Sequence, residues 1–421
     1  MAKKKRGKAP REVTKHQVSR WQQERKRQRL IRSLGIFIIA AVLCVIGFGW
    51  YTTFYRPLNE TVIRVNDASF NMNYYINMLK YYGQGQSTTD LYSAANQIGR
   101  IIEESELVRQ GALKLGISVS DDEVSEELES NDLPLSREYR DLVKTEMLVS
   151  RLLDEHFEHQ VPVFAEQRHI LAMFLESESQ ALEVTAQLEA GEDFAELAGE
   201  LSLDGLSKAR KGDLGWQTKD VLAELLSGSI PVEYAFSSEV GMLSQPLYDE
   251  AKTKEIGYWL IKVLERKEDS DEVHLQVIQL SSEEQANEVR ARLEAGEDFA
   301  ELAGEFSQMD AAKENGGDIG WLPPGLMSPA LEGFAFDPKV ELQTISKPIR
   351  DDNALTTGGY WLIKVLAEED NRKIEDEDRK LLKGKALGEW IASLWDDPEN
   401  KIEDFLDGEK IAWAIERAAR S

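Results

Sequence analysis

The sequence predicts an α+β protein: two tandem domains of one fold, behind a helical module and a single N-terminal transmembrane helix. Three observations carry this. A block of thirteen residues occurs twice about a hundred residues apart, helical periodicity dominates the stretch before it, and an uncharged apolar run lies near the start. At 421 residues the chain exceeds one compact core, since domains run to roughly 100–200 residues each.

The N-terminus comes first. Residues 1–33 hold 13 Lys and Arg against Glu12 and Glu24, a net of +11, so the formal charge of −26 leaves −37 on everything after them. So acidic a body repels nucleic acid and anionic lipid heads, leaving protein, peptide or cations as partners. From Leu34 to Trp50 the run LGIFIIAAVLCVIGFGW has no charge, and with the residues up to Phe54 it reaches roughly the 20 that span a bilayer. Residues 34–54 are therefore read as a transmembrane helix, with 1–33 as a cytoplasmic basic tail. Trp50, Tyr51 and Tyr55 fall where aromatic residues favour the interface. A cleaved signal peptide is the competing reading, but the basic flank is long and no small-residue cleavage site follows Trp50. The basic flank also admits a nucleic-acid arm, although orientation alone requires it. The orientation places the rest of the chain outside the cytoplasm, in contact with the membrane through one helix.

Residues 56–164 read as a helical module after a short strand at Thr61–Val65. Ser120-Asp121-Asp122-Glu123 is a capping box that starts a helix, and Leu142, Met147, Leu148, Leu152 and Leu153 supply apolar positions along a long helix from about Leu135 to His159. The only cysteine, Cys44, excludes an intramolecular disulfide or a cysteine zinc site. His156 and His159 lie three apart with no third ligand in view and read as a solvated helix end, so no metal is expected.

The repeat sets the rest. LEAGEDFAELAGE occurs at Leu188–Glu200 and Leu293–Glu305, and GYWLIKVL at Gly257–Leu264 and Gly359–Leu366. Two collinear copies of this length are two domains, over 165–267 and 271–368, and not a solenoid. Each reads as strand, helix, glycine turn, short helix, strand. His169–Leu175 and His274–Leu280 suit strands, Phe194, Leu197 and Ala198 share one helix face, and Gly212–Trp216 and Gly317–Trp321 are sharp turns. The closing GYWLIKVL alternates and is rich in strand formers. Residues 369–421 form a charged stretch and a helix pair, about Asp378–Trp395 and Ile402–Arg417.

Gln167-Arg168-His169-Ile170-Leu171, Asp193–Ala198, Gly212-Asp213-Leu214-Gly215, Ala235-Phe236 and Gly257-Tyr258 resemble, in order and spacing, the parvulin (PpiC-type) rotamase domain. The second copy follows with His274, Phe299, Gly316–Trp321, Ala335-Phe336 and Gly359-Tyr360, so the resemblance covers about half of the chain. The segment Leu107–Glu123 is similar to the N-terminal chaperone region of SurA-like and PrsA-like extracytoplasmic foldases. The resemblance implies a small antiparallel sheet with surrounding helices in each copy and a folding helper outside the cytoplasm. It also implies peptidyl-prolyl cis-trans isomerase activity without cofactor, on unfolded or proline-containing exported polypeptides.

The family's pocket combines a first-strand histidine, an Asp or Cys before the glycine turn, a Leu in the turn, a Met/Phe pair and a last-strand histidine. The resemblance thus implies His169, Asp204 and Leu214 as the catalytic set of the first copy. For the second it implies His274, Ile319 and, one residue past the matching Met309, Asp310. As substrate-binding positions it implies Ile230, Phe236 and Trp259 in the first copy and Met327, Leu331, Phe336 and Trp361 in the second. Trp259 and Trp361 stand where the family has its second histidine, and supply an apolar wall and an N–H donor, or plain core. From the residues alone, His169 and His274 also read as hydrogen-bonded core histidines, and Asp213 and Asp318 as turn-formers. Two functions stay open: an isomerase, or a non-catalytic membrane-anchored peptide-binding chaperone with degenerate domains. A membrane scaffold that docks one fixed partner is a third.

Overall fold

The computed structural model describes residues 37, 40–83, 88–267 and 270–419. The basic tail expected over 1–33 lies outside them, as does most of the start of the expected membrane span. Residues 40–50 are helical, and Phe37, Val42, Leu43, Val45, Ile46, Phe48 and Trp50 are all exposed. Among the described residues no helix is long and apolar enough to cross a membrane.

Among the described residues nine strands run in chain order: β1 (Thr61–Val65), β2 (Ala68–Asn71), β3 (Phe164–Leu175), β4 (Asp213–Gln217), β5 (Leu247–Arg266), β6 (Val273–Leu280), β7 (Asp318–Leu322), β8 (Ile349–Lys373) and β9 (Ile402–Asp404). The chain divides into two compact units, Met1–Glu158 with Ala386–Ser421, and His159–Lys385.

The first unit joins the module expected over 56–164, as far as Glu158, to Ala386–Ser421 of the segment expected over 369–421. β1 is central in a sheet of order β2-β1-β9, so Ile402–Asp404 is a strand, not the start of a helix. The last helix begins at Gly408, where Asp407 accepts the Lys410 N–H at 2.8 Å and caps it. Val62, Ile63, Phe70, Tyr75, Leu79, Ile98 and Ile102 form a core closed by Leu394 and Ile415. The capping box at Ser120 is present with both of its hydrogen bonds. The long helix expected to His159 is α-helical over Arg137–Arg151 and continues as a π turn and a 3-10 turn.

The second unit holds both repeat copies in one antiparallel six-stranded sheet, in the order β4-β3-β8-β5-β6-β7. Each copy contributes three strands, but the last strand of each has crossed to the other. β3 of the first copy pairs along β8 of the second, from Phe164↔Lys373 to Leu175↔Tyr360. β6 of the second copy pairs along β5 of the first, from Tyr258↔Leu280 to Arg266↔Val273. β5 and β8 meet at the crossing, with Leu247↔Trp361, Thr253↔Thr357 and Trp259↔Ile349 in register.

Local chemistry explains why β5 runs straight through. Between the two halves of β5 lies Glu250–Ile256, EAKTKEI, which has no Gly, Pro or Asn to form a two-residue hairpin turn. The extended segments are tied to one another by buried side chains: Lys254 Nζ donates to the Gly358 carbonyl and Thr356 Oγ1 to the Ile256 carbonyl. Neither of the stretches read as domains, 165–267 and 271–368, builds its core alone.

The expected glycine turns are turns that lead directly into strands. β4 and β7 begin at Asp213 and Asp318 and bond to β3 and β6, each with a bulge opposite. Gly212 has φ 81°, and a Cβ there would meet Phe194 Cε1 at 2.6 Å. Only glycine serves both the backbone and the ring.

Candidate active site

Each half of the six-stranded sheet carries a cup on one face. In the first, Ile170, Ala172 and Phe174 of β3 and Leu214 of β4 pack with Leu222, Leu226, Val232 and Ala235, and the wall is Trp361, Ile363 and Val365 of the second copy. In the second, Val273, Leu275 and Val277 of β6 pack with Ala312, Leu331 and Ala335, and the wall is Trp259, Ile261 and Val263 of the first copy. The two tryptophans are therefore exchanged relative to the sequence assignment: Trp259 serves the second cup and Trp361 the first. Because the strands crossed, so did every side chain they carry.

Both indole N–H groups are already committed. Trp361 Nε1 donates to Asp249 Oδ2 at 3.0 Å, and Trp259 Nε1 to Asp351 Oδ2 at 3.2 Å. A buried indole needs such an acceptor, so the tryptophans offer ring faces and no free donor. Ser328 Oγ also donates to Asp351 Oδ2, at 2.6 Å.

The histidines repeat one arrangement. His169 Nε2 donates to Asp213 Oδ1 and His274 Nε2 to Asp318 Oδ1, each at 2.8 Å. The same carboxylate oxygens take the N–H of Gly215 at 2.9 Å and of Gly320 at 2.8 Å, which pins them across the bulge. Each imidazole also lies beside an indole, Trp216 at 5.7 Å and Trp321 at 5.2 Å between ring centres. Burial pushes the Asp213 and Asp318 carboxyls up, but the hydrogen bonds from histidine and glycine outweigh it and hold both below the ordinary aspartate value. Asp213 and Asp318 thus combine turn-making with a histidine partnership.

The cups differ in what fills them. The second encloses a cavity of about 520 Å³, lined by Trp259, Met309, Ile319, Met327 and Leu331 with Asp318 and Asp351 among the polar groups. Four expected residues, Trp259, Ile319, Met327 and Leu331, come together there. His274 reaches this cavity only through Asp318. Asp310 does not: it is exposed at the start of the helix Asp310–Glu314, and Met309 before it faces the cavity instead. Phe336 packs against the cup's core without lining the cavity.

The first cup is full. Leu214 and Trp361 are buried, with the Trp361 ring 4.8 Å from that of Phe174. The extra residues between Trp216 and Phe236 form the helix Lys219–Leu226, whose Leu222 and Leu226 are wholly buried in this core. Ile230 begins the next helix and is not part of the core, where Val232 takes the place expected of it. Phe236 packs at the edge under the Arg168 guanidinium, 5.6 Å away. Asp204 is no free acid: it accepts the Ser207 N–H at 2.8 Å as a helix cap and pairs with Lys252 Nζ at 2.8 Å.

Sequence reasoning missed Lys252, Asp249, Asp351 and Ser328. The repeat carried part of the signal, since Asp249 and Asp351 sit at the same place before the closing block, where Lys252 answers to Ala354.

The family model for the PPIC-type PPIASE (rotamase) domain matches residues 169–265 and 276–367. The chain is 27% identical over 379 residues to chaperone SurA of Methylobacillus flagellatus, covering 77% of this chain and 79% of that one. It is 37% identical over 99 residues to foldase protein PrsA of Geobacillus kaustophilus, covering 24% and 33%. A crystal structure of the peptidylprolyl isomerase PrsA of Bacillus cereus overlays on 86% of this chain and 99% of its own, at TM-score 0.27 and 13% identity.

Proposed function

As a chain with two PPIC-type rotamase domains, akin to the SurA and PrsA folding factors, this protein is a SurA/PrsA-like peptidyl-prolyl isomerase and chaperone, and we propose that its second cup is the one that turns prolyl bonds over. The open apolar cavity of about 520 Å³ between Trp259, Met309, Ile319, Met327 and Leu331 carries this reading. The first cup has its corresponding space occupied by its own side chains.

The reaction needs no covalent step. Rotation about an X-Pro bond faces a barrier of about 18–20 kcal/mol because resonance holds the amide planar, and unaided it takes tens to hundreds of seconds. A site that binds the twisted amide better than either planar form lowers that barrier by the difference. Apolar walls suit the twisted amide, which has lost the charge separation of the planar one. Here the Trp259 face, Met309, Met327 and Leu331 grip the ring, Ile319 closes the floor, and His274 holds Asp318 at the rim.

The clients in this proposal are unfolded exported polypeptides, and the chain is held to the membrane with its folded body outside the cytoplasm. The exposed apolar side chains from Phe37 to Trp50 and the basic flank before them support that placement. Protease added to spheroplasts should remove the acidic body. Its survival until lysis would place that body in the cytosol.

A proline-limited refolding assay on the full chain tests the catalytic assignment. His274→Ala should lower the acceleration by about tenfold or more, the scale on which removing a positioned catalytic-site group is felt, while His169→Ala leaves most of it. The reverse order would move the activity to the first copy.

A further inference from the structure

At the first cup the Lys252 side chain sits where three separate elements meet. Lys252 Nζ lies 2.8 Å from Asp204 Oδ2, donates to the Leu226 carbonyl at 3.0 Å, and stands 5.3 Å from the centre of the Trp361 ring. Leu226 is the last residue of the helix Lys219–Leu226, so the ammonium caps the end where a helix concentrates its negative partial charge. Asp204, itself buried, is fixed from behind by the Ser207 N–H. One lysine thus ties the glycine-turn segment, the covering helix and the exchanged tryptophan together, with cation–π attraction added to an ion pair shielded from water.

The second copy is the built-in comparison. Asp204 answers to Met309 and Lys252 to Ala354, and in place of the covering helix runs the Pro323-Pro324-Gly325 segment. Every component of the closure is missing, and the space is the 520 Å³ cavity. The remaining walls correspond: Trp361 to Trp259, Leu214 to Ile319, Asp249 to Asp351, and the His169–Asp213 pair to His274–Asp318.

We propose that the first copy holds a second, latent binding cup for X-Pro peptide segments, covered by the helix Lys219–Leu226 and latched by Lys252. This rests on the reading that the second copy's cavity is the prolyl site. The latch acts by occupancy: the lysine stem and Leu226 stand in the place of a client's proline, and the ion pair makes leaving that place unfavourable. Removing Lys252 alone would strand the Asp204 carboxylate in the interior, so the clean opening replaces both partners with their counterparts from the second copy.

The test is calorimetric titration of the full chain with a neutral proline-containing tetrapeptide, with circular dichroism as the check on folding. The unaltered chain should bind one equivalent in its rotamase unit, and the Asp204→Met/Lys252→Ala chain two. A folded double variant that still binds one overturns the latch. So does an unaltered chain with two equal rotamase sites. If the double variant does not fold, the reciprocal change decides: Met309→Asp/Ala354→Lys installs the ion pair in the open cup and should weaken binding by tenfold or more, and unchanged affinity overturns the proposal. A wild-type chain that binds no prolyl peptide contradicts the functional reading instead.

Discussion

At the scale of single residues, the His274–Asp318 pair is the feature most open to measurement. Asp318 has its carboxyl held below the ordinary value, so the stability it contributes is present above the unfolded value of about 3.8 and disappears as pH falls through the folded one. Asp318→Asn should therefore differ from the parent in thermal midpoint at neutral pH and converge with it in acid. A difference that persists below pH 2 would mean that the carboxylate charge is not what matters. Glu103 in the first unit works in the opposite direction. Burial, with Asp404 nearby, pushes its carboxyl up to about 7 against an opposing pull from Arg100. Between about 4.5 and 7 the folded chain holds a proton that the unfolded chain releases, so this contribution is full below that window and is lost as pH rises through it. Glu103→Gln should stabilise the first unit at pH 8 by on the order of 2 kcal/mol and have little effect at pH 4. Urea unfolding at the two pH values reads both.

Among elements, the crossed strands assign different work to two identical tryptophans. Trp361 is completely enclosed, so Trp361→Ala should cost about 3–5 kcal/mol of the second unit's stability. Trp259 borders a cavity, and its loss can be partly taken up by that space. Trp259→Ala should cost clearly less stability yet weaken peptide binding by about tenfold, equivalent to roughly 1.4 kcal/mol. Equal stability losses with no change in binding would show that the second cup's wall is mere core. The sequence GYWLIKVL is the same in both places, and no local propensity separates the two roles. What separates them is the neighbour each strand finds after the crossing.

Over the whole molecule, strand exchange makes the two copies one folding unit. Each core draws its wall from the other copy, so the covalent link between Lys267 and Ser270 does not hold the cores together. A protease site placed in that link should, after cleavage, leave both fragments co-eluting as one species in native buffer. Separation into two folded fragments would show that each closing strand can fold back on its own copy. For the same reason residues 271–368 in isolation lack Trp259 and should not reproduce the second cup as it stands in the full chain.

The sequence by itself determined the duplicated elements and the residue types on them. The repeat, the capping box at Ser120, strand β1, the strand-forming GYWLIKVL and the glycine at 212 each follow from local rules of period, capping or backbone freedom. Ile319, Met327 and Leu331, named from the family resemblance, line one cavity, because their spacing from the glycine turn is set within one copy. Only the tertiary structure decided which copy each closing strand completes, that Asp204 is tied to Lys252, that Met309 and not Asp310 faces the cavity, and that one cup is filled. These are matters of contact between segments far apart in the chain. A strand's alternation gives it a buried face but does not name the partner that buries it, and a carboxylate's spacing does not say whether an ammonium from another strand will reach it first.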